Sequence, residues 1–147
     1  MEVKELGHIV LYVRDLETSR RFYRDLLGWR EILAGPGVAV YSSGRTHHEL
    51  LLIQVGSEAT PIPPNPRVGM YHFGLKIGES DDELRAAVVR LREANVTIVG
   101  MSDHGVSHSV YLLDPDGNEI EIYIDVQPAQ WRDDPARARM YTKPLRL

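Results

Sequence analysis

The sequence predicts an α+β fold in which two βαβββ modules pair into one curved, half-open mixed sheet. The order strand, helix, three strands occurs twice along the chain, and His8 and His72 stand at matching points of the first strand in each copy. A single module leaves one face of its sheet uncovered, so we expect the two modules to pair within one domain spanning 1–147.

Module one is predicted over residues 5–56. Residues 5–13 alternate between apolar and polar positions and are rich in β-branched side chains, which favours a strand. The segment DLETSRRFYRDLLG carries apolar residues at helical spacing, and Gly28 is placed to end the helix. Turn residues then separate three predicted strands, at 29–34, 37–43 and 48–55.

A proline-rich connector, residues 57–68, leads into module two, residues 69–125. The run MYHFGLKI predicts its first strand, ESDDELRAAVVRLREAN its helix, and VTIVGMS, SHSVYLLD and NEIEIYID three further strands. The tail, residues 126–147, lies outside the repeat, and we expect Trp131 to pin it to the body.

Composition narrows the function classes. The formal net charge is −4, so the chain lacks the basic surplus that nucleic acid or anionic membranes attract. Cysteine is absent, which excludes disulfides and thiolate ligands and leaves His, Asp and Glu to hold any metal. The N-terminal stretch does not resemble a secretion signal and no apolar run is long enough to span a bilayer, so a cytoplasmic location is expected.

Alternation along the strands predicts which side chains face away from the helices. His8 and His72 fall on that face of their strands, and the last strand sends Glu121 the same way, with Glu119 and Asp125 beside it. By the same alternation Tyr111 shares this face, and so does a set from the fourth strand of module one: His48, Leu50, Leu52 and Gln54.

Two imidazoles and one carboxylate on one side of an ion leave coordination positions open, as in non-haem Fe(II) oxygenases. His8, His72 and Glu121 are therefore candidate ligands for Fe(II), with Mn(II) as an alternative and Zn, Ni or Co less expected. Taken singly, each has a simpler interpretation: a strand histidine is usually only hydrogen-bonded, and a strand glutamate is usually solvated. His47 is expected to be solvated.

The runs LGHIVLYVRDLETSRRFYRDLLGW and DHGVSHSVYLLDPDGNEIEIY carry a family resemblance. The first resembles the opening module of the vicinal oxygen chelate superfamily, and the second is similar to the signature of short type I extradiol, catechol 2,3-dioxygenase-like enzymes. The resemblance implies that His8, His72 and Glu121 bind iron. It implies that His48, in the HHEL stretch, is the acid–base residue, and that Tyr111 and His104 contact the bound diol.

The same resemblance implies aromatic catabolism, with a small aromatic diol and O₂ as substrates. The exposed sheet edges of paired modules favour homo-oligomers. Glu49 departs from the family, which more often has Asp there, and the connector is longer than expected.

Two alternatives stay open. Glyoxalase-like lyases or isomerases use a fourth protein ligand, usually a glutamate on the strand before the connector, where the predicted face offers Leu50, Leu52 and a weakly ligating Gln54. Metal-free proteins of the same fold bind antibiotics and need no His/His/Glu set.

Overall fold

Two compact units, Met1–Pro63 and Pro64–Leu147, make up the computed structural model, which describes residues 1–147. Each unit contains one βαβββ module, so the predicted α+β class and the repeat are confirmed. The boundary between the units falls inside the predicted connector. No helix of the chain has the length and apolar character needed to cross a bilayer.

The first unit is a four-stranded sheet with one helical segment. Its elements are β1 (Ile9–Val13), α1 (Leu16–Arg20) continued by a π-helical segment (Arg21–Leu26), β2 (Glu31–Gly35), β3 (Val38–Tyr41) and β4 (Leu50–Gln54). The strand order is β1-β4-β3-β2, with β1 parallel to β4 and the other pairs antiparallel.

The helix of the first unit begins at a cap and ends in a wider turn than predicted. The Oδ1 atom of Asp15 accepts a hydrogen bond from the backbone N–H of Thr18 at 2.7 Å, which satisfies one of the free donors of the first turn. Further along, the N–H of Leu27 donates to the carbonyl of Phe22 at 3.0 Å, a π-helical bond. The predicted single α-helix is therefore α-helical only over its first part.

The predicted facing of β4 is wrong. Strand β1 pairs in parallel with β4, and residues directly opposite in neighbouring strands share a face, which gives three pairs on the helix side: Ile9 with Leu50, Leu11 with Leu52, and Val13 with Gln54. Leu50 and Leu52 are fully buried, and the Oε1 atom of Gln54 accepts a hydrogen bond from the N–H of Leu16 at 2.9 Å. The opposite face of β4 presents Leu51 and Ile53.

The predicted facing of His48 also changes. It lies before the first residue of β4, so strand alternation does not determine its direction. Because Gln54 caps the helix, it is not placed to serve as the weak fourth metal ligand that the glyoxalase-like alternative required.

The second unit is a five-stranded sheet with one long helix. Its elements are β5 (His72–Gly78), α2 (Asp81–Glu93), β6 (Ile98–Asp103), β7 (Ser107–Leu113), β8 (Glu119–Asp125) and β9 (Lys143–Pro144). The strand order is β5-β8-β7-β6-β9, and only the β5–β8 pair is parallel.

Helix α2 starts at a capping box. The N–H of Glu83 donates to the hydroxyl of Ser80, and the Glu83 carboxylate accepts from that hydroxyl and from the N–H of Glu79, both at 2.8 Å. Gly78 makes room for this carboxylate, because a Cβ there would lie 2.7 Å from the Glu83 carboxyl group. The helix packs on the sheet through buried apolar residues: Leu84, Val88 and Leu91.

The tail returns to the second unit. The indole N–H of Trp131 donates to the carbonyl of Val126 at 3.1 Å. Because Val126 is itself the first residue of the tail, the pinning of the tail to the body by Trp131 stays a prediction. Two short 3₁₀ turns, Pro128–Gln130 and Pro135–Arg137, carry the chain back to β6, where β9 adds an unpredicted antiparallel edge strand.

Candidate metal centre and substrate cavity

One face of the second sheet gathers the predicted ligands of this unit. In the β5–β8 register His72 lies opposite Glu119 and Gly74 opposite Glu121, while in the β7–β8 register Tyr111 lies opposite Glu121. Since opposed residues share a face, His72, Glu121 and Tyr111 point to the same side of the sheet, as strand alternation predicted.

The imidazole of His72 lies between two carboxylates. Its Nε2 atom is 3.3 Å from Oε2 of Glu121, and its Nδ1 atom is 3.6 Å from Oε1 of Glu119. The Nδ1 atom is buried and has no hydrogen-bond partner within normal distance. Each ring nitrogen therefore faces a different acid, with Glu121 on one side and Glu119 on the other.

This pair of residues fits half of a metal centre. Two ligands on adjacent corners of a coordination shell, each about 2.1 Å from the ion, lie about 3 Å apart, close to the observed His72–Glu121 separation. Histidines that bind metals usually donate their second N–H to a carboxylate, which is the position that Glu119 occupies beside Nδ1. Neither unit by itself groups three His, Asp or Glu side chains that could hold a metal ion. His8, the third predicted ligand, belongs to the first unit.

Gly74 keeps this part of the face open. A Cβ at this position would lie 3.2 Å from the ring of Tyr123, closer than most Cβ contacts, and 3.5 Å from Oε2 of Glu121, an ordinary contact distance. Next along the strand, the ammonium group of Lys76 binds Asp125 at 2.7 Å. Two of the three acids of β8, Glu119 and Glu121, thus flank His72, whereas the third, Asp125, binds Lys76.

Tyr111 and His104 meet beside the ligand pair. The Nε2 atom of His104 lies 2.7 Å from the phenolic oxygen of Tyr111, and the ring of Tyr111 packs edge-on to that of His72 at 5.3 Å between centroids. Burial, followed by the charge of Glu121, raises the pKa of Tyr111 to about 12. The phenol is therefore protonated at neutral pH and can donate a hydrogen bond.

These residues line a cavity of about 440 Å³, within the range of small-molecule pockets. Its wall consists of His72, His104, Val106, Ser107, Tyr111, Glu121, Tyr123 and Met140. Sequence reasoning missed Met140, since nothing in the tail marked it. It also assigned no role to Glu119, although the alternation of β8 had put that carboxylate beside Glu121.

The first unit holds a second group of histidines. The rings of His8 and His48 lie 4.5 Å apart between centroids, and Nδ1 of His47 is 2.6 Å from Nδ1 of His48. Burial lowers the pKa of His48, and the neighbouring rings of His47 and His8 lower it further. His47 is exposed, as expected, yet it contacts His48 directly. The candidate ligand and the candidate acid–base residue of this unit are thus in contact.

Glu49 has a local structural role. Its carboxylate accepts hydrogen bonds from the N–H of Ser43 at 2.6 Å and of Thr46 at 2.8 Å, which closes the loop before β4. Burial opposes ionisation of Glu49, but these backbone donors outweigh it and lower the pKa. The side chain of Glu49 is thus occupied by the loop.

The chain is similar to known proteins in both sequence and structure. A family model described as the Glyoxalase/Bleomycin resistance protein/Dioxygenase superfamily matches residues 5–122. The chain is 33% identical to the catechol-2,3-dioxygenase of Bacillus subtilis over 90% of its own length, but it spans only 46% of that protein. It is 29% identical to the metallothiol transferase FosB of Staphylococcus epidermidis, covering 84% of this chain and 83% of the transferase. The crystal structure of a glyoxalase/dioxygenase from Nostoc punctiforme superposes with a TM-score of 0.69 at 27% identity, covering 84% of this chain and 92% of that one.

Proposed function

Because the chain belongs to the glyoxalase/bleomycin resistance protein/dioxygenase superfamily, we propose that it is a metal-dependent extradiol dioxygenase that cleaves a catechol-type diol with O₂. The observation that carries the proposal is the position of His72 between Glu121 and Glu119, on one face with Tyr111. The similarity to a catechol-2,3-dioxygenase over 90% of the chain supports the same activity.

In this proposal His8, His72 and Glu121 hold one Fe(II) ion. When bound, the ion would lower the pKa of the diol and bring diol and O₂ together. The reaction breaks the O–O bond of O₂ and the ring C–C bond beside the diol, and it adds one oxygen atom to each of the two separated carbons. The diol supplies the electrons, so no external reductant is required. Glu119 would act on His72 by accepting its Nδ1 hydrogen, which fixes the ring so that Nε2 is presented beside Glu121.

The remaining residues of the site would manage protons and orient the diol. Tyr111 is protonated and can donate its hydroxyl hydrogen to a diol oxygen, provided that Nε2–H of His104 donates to the phenolic oxygen in turn. His48, whose pKa is lowered, is neutral at physiological pH and can accept a diol proton. The proposed reaction needs a neutral base, the role given to His48, and a protonated hydrogen-bond donor, the role given to Tyr111.

Thiol transfer is a second candidate. The matched region accounts for 83% of the metallothiol transferase FosB, but for only 46% of the Bacillus dioxygenase. Such an enzyme would join a small thiol to an electrophile at the same metal. The dioxygenase would consume O₂, whereas the transferase would consume a thiol.

The test is anaerobic reconstitution of the full chain with Fe(II), followed by air and a panel of catechols. Extradiol cleavage predicts a yellow ring-fission product and the uptake of one O₂ for each diol consumed. An iron-loaded protein that takes up no O₂ with any diol, but consumes a thiol in the presence of an epoxide, would establish the transferase instead.

A further inference from the structure

The C-terminal segment 139–145 is bound tightly to the second unit beside the cavity. The N–H of Tyr141 donates to the carbonyl of His104 at 3.2 Å, and that of Leu145 donates to the carbonyl of Met101 at the same distance. The hydroxyl of Thr142 lies 3.2 Å from Nδ1 of His104, the same imidazole that contacts Tyr111. The segment therefore contacts the site through His104.

Gly105 makes this close approach feasible. A Cβ on Gly105 would lie 2.6 Å from the carbonyl oxygen of Arg139 and 2.7 Å from the ring of Tyr141, so another residue would push the segment away. The hydroxyl of Tyr141 donates to Asp103 at 3.2 Å on the other side of the turn. The absence of a side chain at Gly105 thus permits the contact between this turn and the tail, and the hydrogen bond from Tyr141 to Asp103 reinforces it.

Met140 is the residue that this arrangement brings to the cavity. Together with Val106 it gives one part of the wall an apolar character, while His72 and Glu121 form the polar part. The matched region of the superfamily includes Val106 but ends at residue 122, so Met140 comes from a segment outside the family model. The contribution of Met140 to the apolar part of the wall is therefore not set by the residues that define the superfamily.

The charges around the cavity disfavour an anionic substrate. No lysine or arginine lines it, and the nearby Lys76 is engaged by Asp125 at 2.7 Å and by Glu79 at 3.4 Å. Glu121 lies in the wall and Glu119 behind His72. The diol and O₂ would occupy the proposed metal ion, so a carboxylate on the substrate would lose its hydration without gaining a cationic side chain as a partner.

We infer that the substrate is an uncharged diol whose ring carries an apolar substituent, and that Met140 selects it by packing against that substituent. This inference rests on the proposed function for its diol. It adds the class of substituent, which the family resemblance does not specify. Burying a two-carbon substituent against an apolar wall corresponds to about a tenfold gain in specificity.

The kinetic test compares 4-ethylcatechol, catechol and 3,4-dihydroxybenzoate with the iron-loaded parent, Met140→Ala and Met140→Leu. We expect kcat/KM to fall in the order ethylcatechol, catechol, dihydroxybenzoate. Met140→Ala should raise the KM for ethylcatechol roughly threefold to tenfold without changing kcat, while Met140→Leu keeps the parent's preference. Equal preference for the carboxylated diol, or unchanged kinetics in Met140→Ala, would overturn the inference.

A binding experiment separates this inference from the dioxygenase proposal. The four methionines can be labelled with ¹³C in their methyl groups, and the Met140 signal assigned by its loss in Met140→Leu. Anaerobic titration with 4-ethylcatechol should shift that signal, and 3,4-dihydroxybenzoate should not. A shift without any later ring cleavage supports the inference and refutes the dioxygenase. Ring cleavage with a silent Met140 signal supports the dioxygenase and refutes the inference.

Discussion

His72 and Glu121 stand on neighbouring parallel strands with Nε2 and Oε2 3.3 Å apart. They are not directly opposite each other: Glu121 lies opposite Gly74, where a Cβ would be 3.5 Å from Oε2 of Glu121 and 3.2 Å from the ring of Tyr123. The parallel register of β5 and β8 brings His72, two positions before Gly74, close to Glu121. The pair formed by His72 and Glu121 is suited to a divalent cation.

Glu119 is predicted to position His72. Replacement by alanine removes the carboxylate beside Nδ1 and should weaken Fe(II) affinity by about 10-fold to 100-fold, the usual effect of losing such a partner. The measurement is anaerobic equilibrium dialysis with Fe(II). Asp125→Ala is the matched control, because Asp125 lies on the same face of β8 but binds Lys76. If both variants lose affinity equally, the general negative charge of the face is responsible and Glu119 has no special role.

His48 is predicted to move protons without holding the metal. We expect His48→Ala to keep the iron content of the parent and to lose about 10²-fold to 10⁴-fold in kcat, as is usual for loss of a general acid–base group. Metal analysis and O₂ uptake are measured on the same preparation. The exposed neighbour gives the control, His47→Ala, which should change kcat far less. A His48→Ala protein with parental turnover would refute the assignment.

Glu31 is predicted to stabilise the first unit in a pH-dependent way. Its carboxylate accepts two hydrogen bonds from Arg20, both at 2.8 Å, and one from Tyr41, and the hydrogen bonds from Arg20 are the main reason that its pKa is lowered. A lowered pKa in the folded state contributes stability above the unfolded value, near 4.5. That stability is lost as the pH falls through the folded pKa.

Calorimetry at pH 7 and below pH 4 tests this prediction with Glu31→Gln. The variant should have a lower Tm than the parent at pH 7, and the difference should shrink at the acidic pH. Glu17→Gln serves as the control, because Glu17 also binds Arg20, at 2.7 Å, but is 52% exposed and should contribute little. A difference in Tm between parent and Glu31→Gln that is constant with pH would exclude the ion pair as its source.

Gly105 is predicted to hold the tail in place. Gly105→Ala combines a left-handed backbone, φ +77°, with a clash against Arg139, whereas Gly117→Ala has a similar φ of +86° and open space. Both variants should lose about 1 kcal/mol of stability from the backbone conformation. Only Gly105→Ala should release the tail, which limited proteolysis would detect as faster cleavage after Arg137 or Arg139. Equal cleavage in the two variants would show that Gly105 does not anchor the tail.

The sequence predicted the second unit better than the first, for a physical reason. In β8 the alternation of isoleucine with acidic or aromatic residues is regular, and the buried and open faces follow it along the whole strand. In β4 the run Leu50–Ile53 is apolar on both faces, so alternation could not distinguish the core side from the open side. The side of β4 that faces the core is determined instead by its register with β1, which is a non-local feature.

Two parts of the site lay beyond sequence reasoning. The partnership of Glu119 with His72 depends on a parallel register between strands almost fifty residues apart in the chain. The tail strand β9 is two residues long, Lys143 and Pro144, and no periodic pattern is readable in so short a segment. The position of Met140 in the cavity wall could therefore be found only from the three-dimensional structure.

The proposed metal centre is tested most directly by the iron content of the parent and of three single variants: His8→Ala, His72→Ala and Glu121→Ala. Each protein is purified without chelator, loaded anaerobically with Fe(II), dialysed and analysed by mass spectrometry for metal. We expect about one iron per chain in the parent and near-complete loss in all three variants, with the folded state intact by circular dichroism. A parent that binds no metal, or any of the three variants that retains its full iron, would contradict a single centre held by these residues.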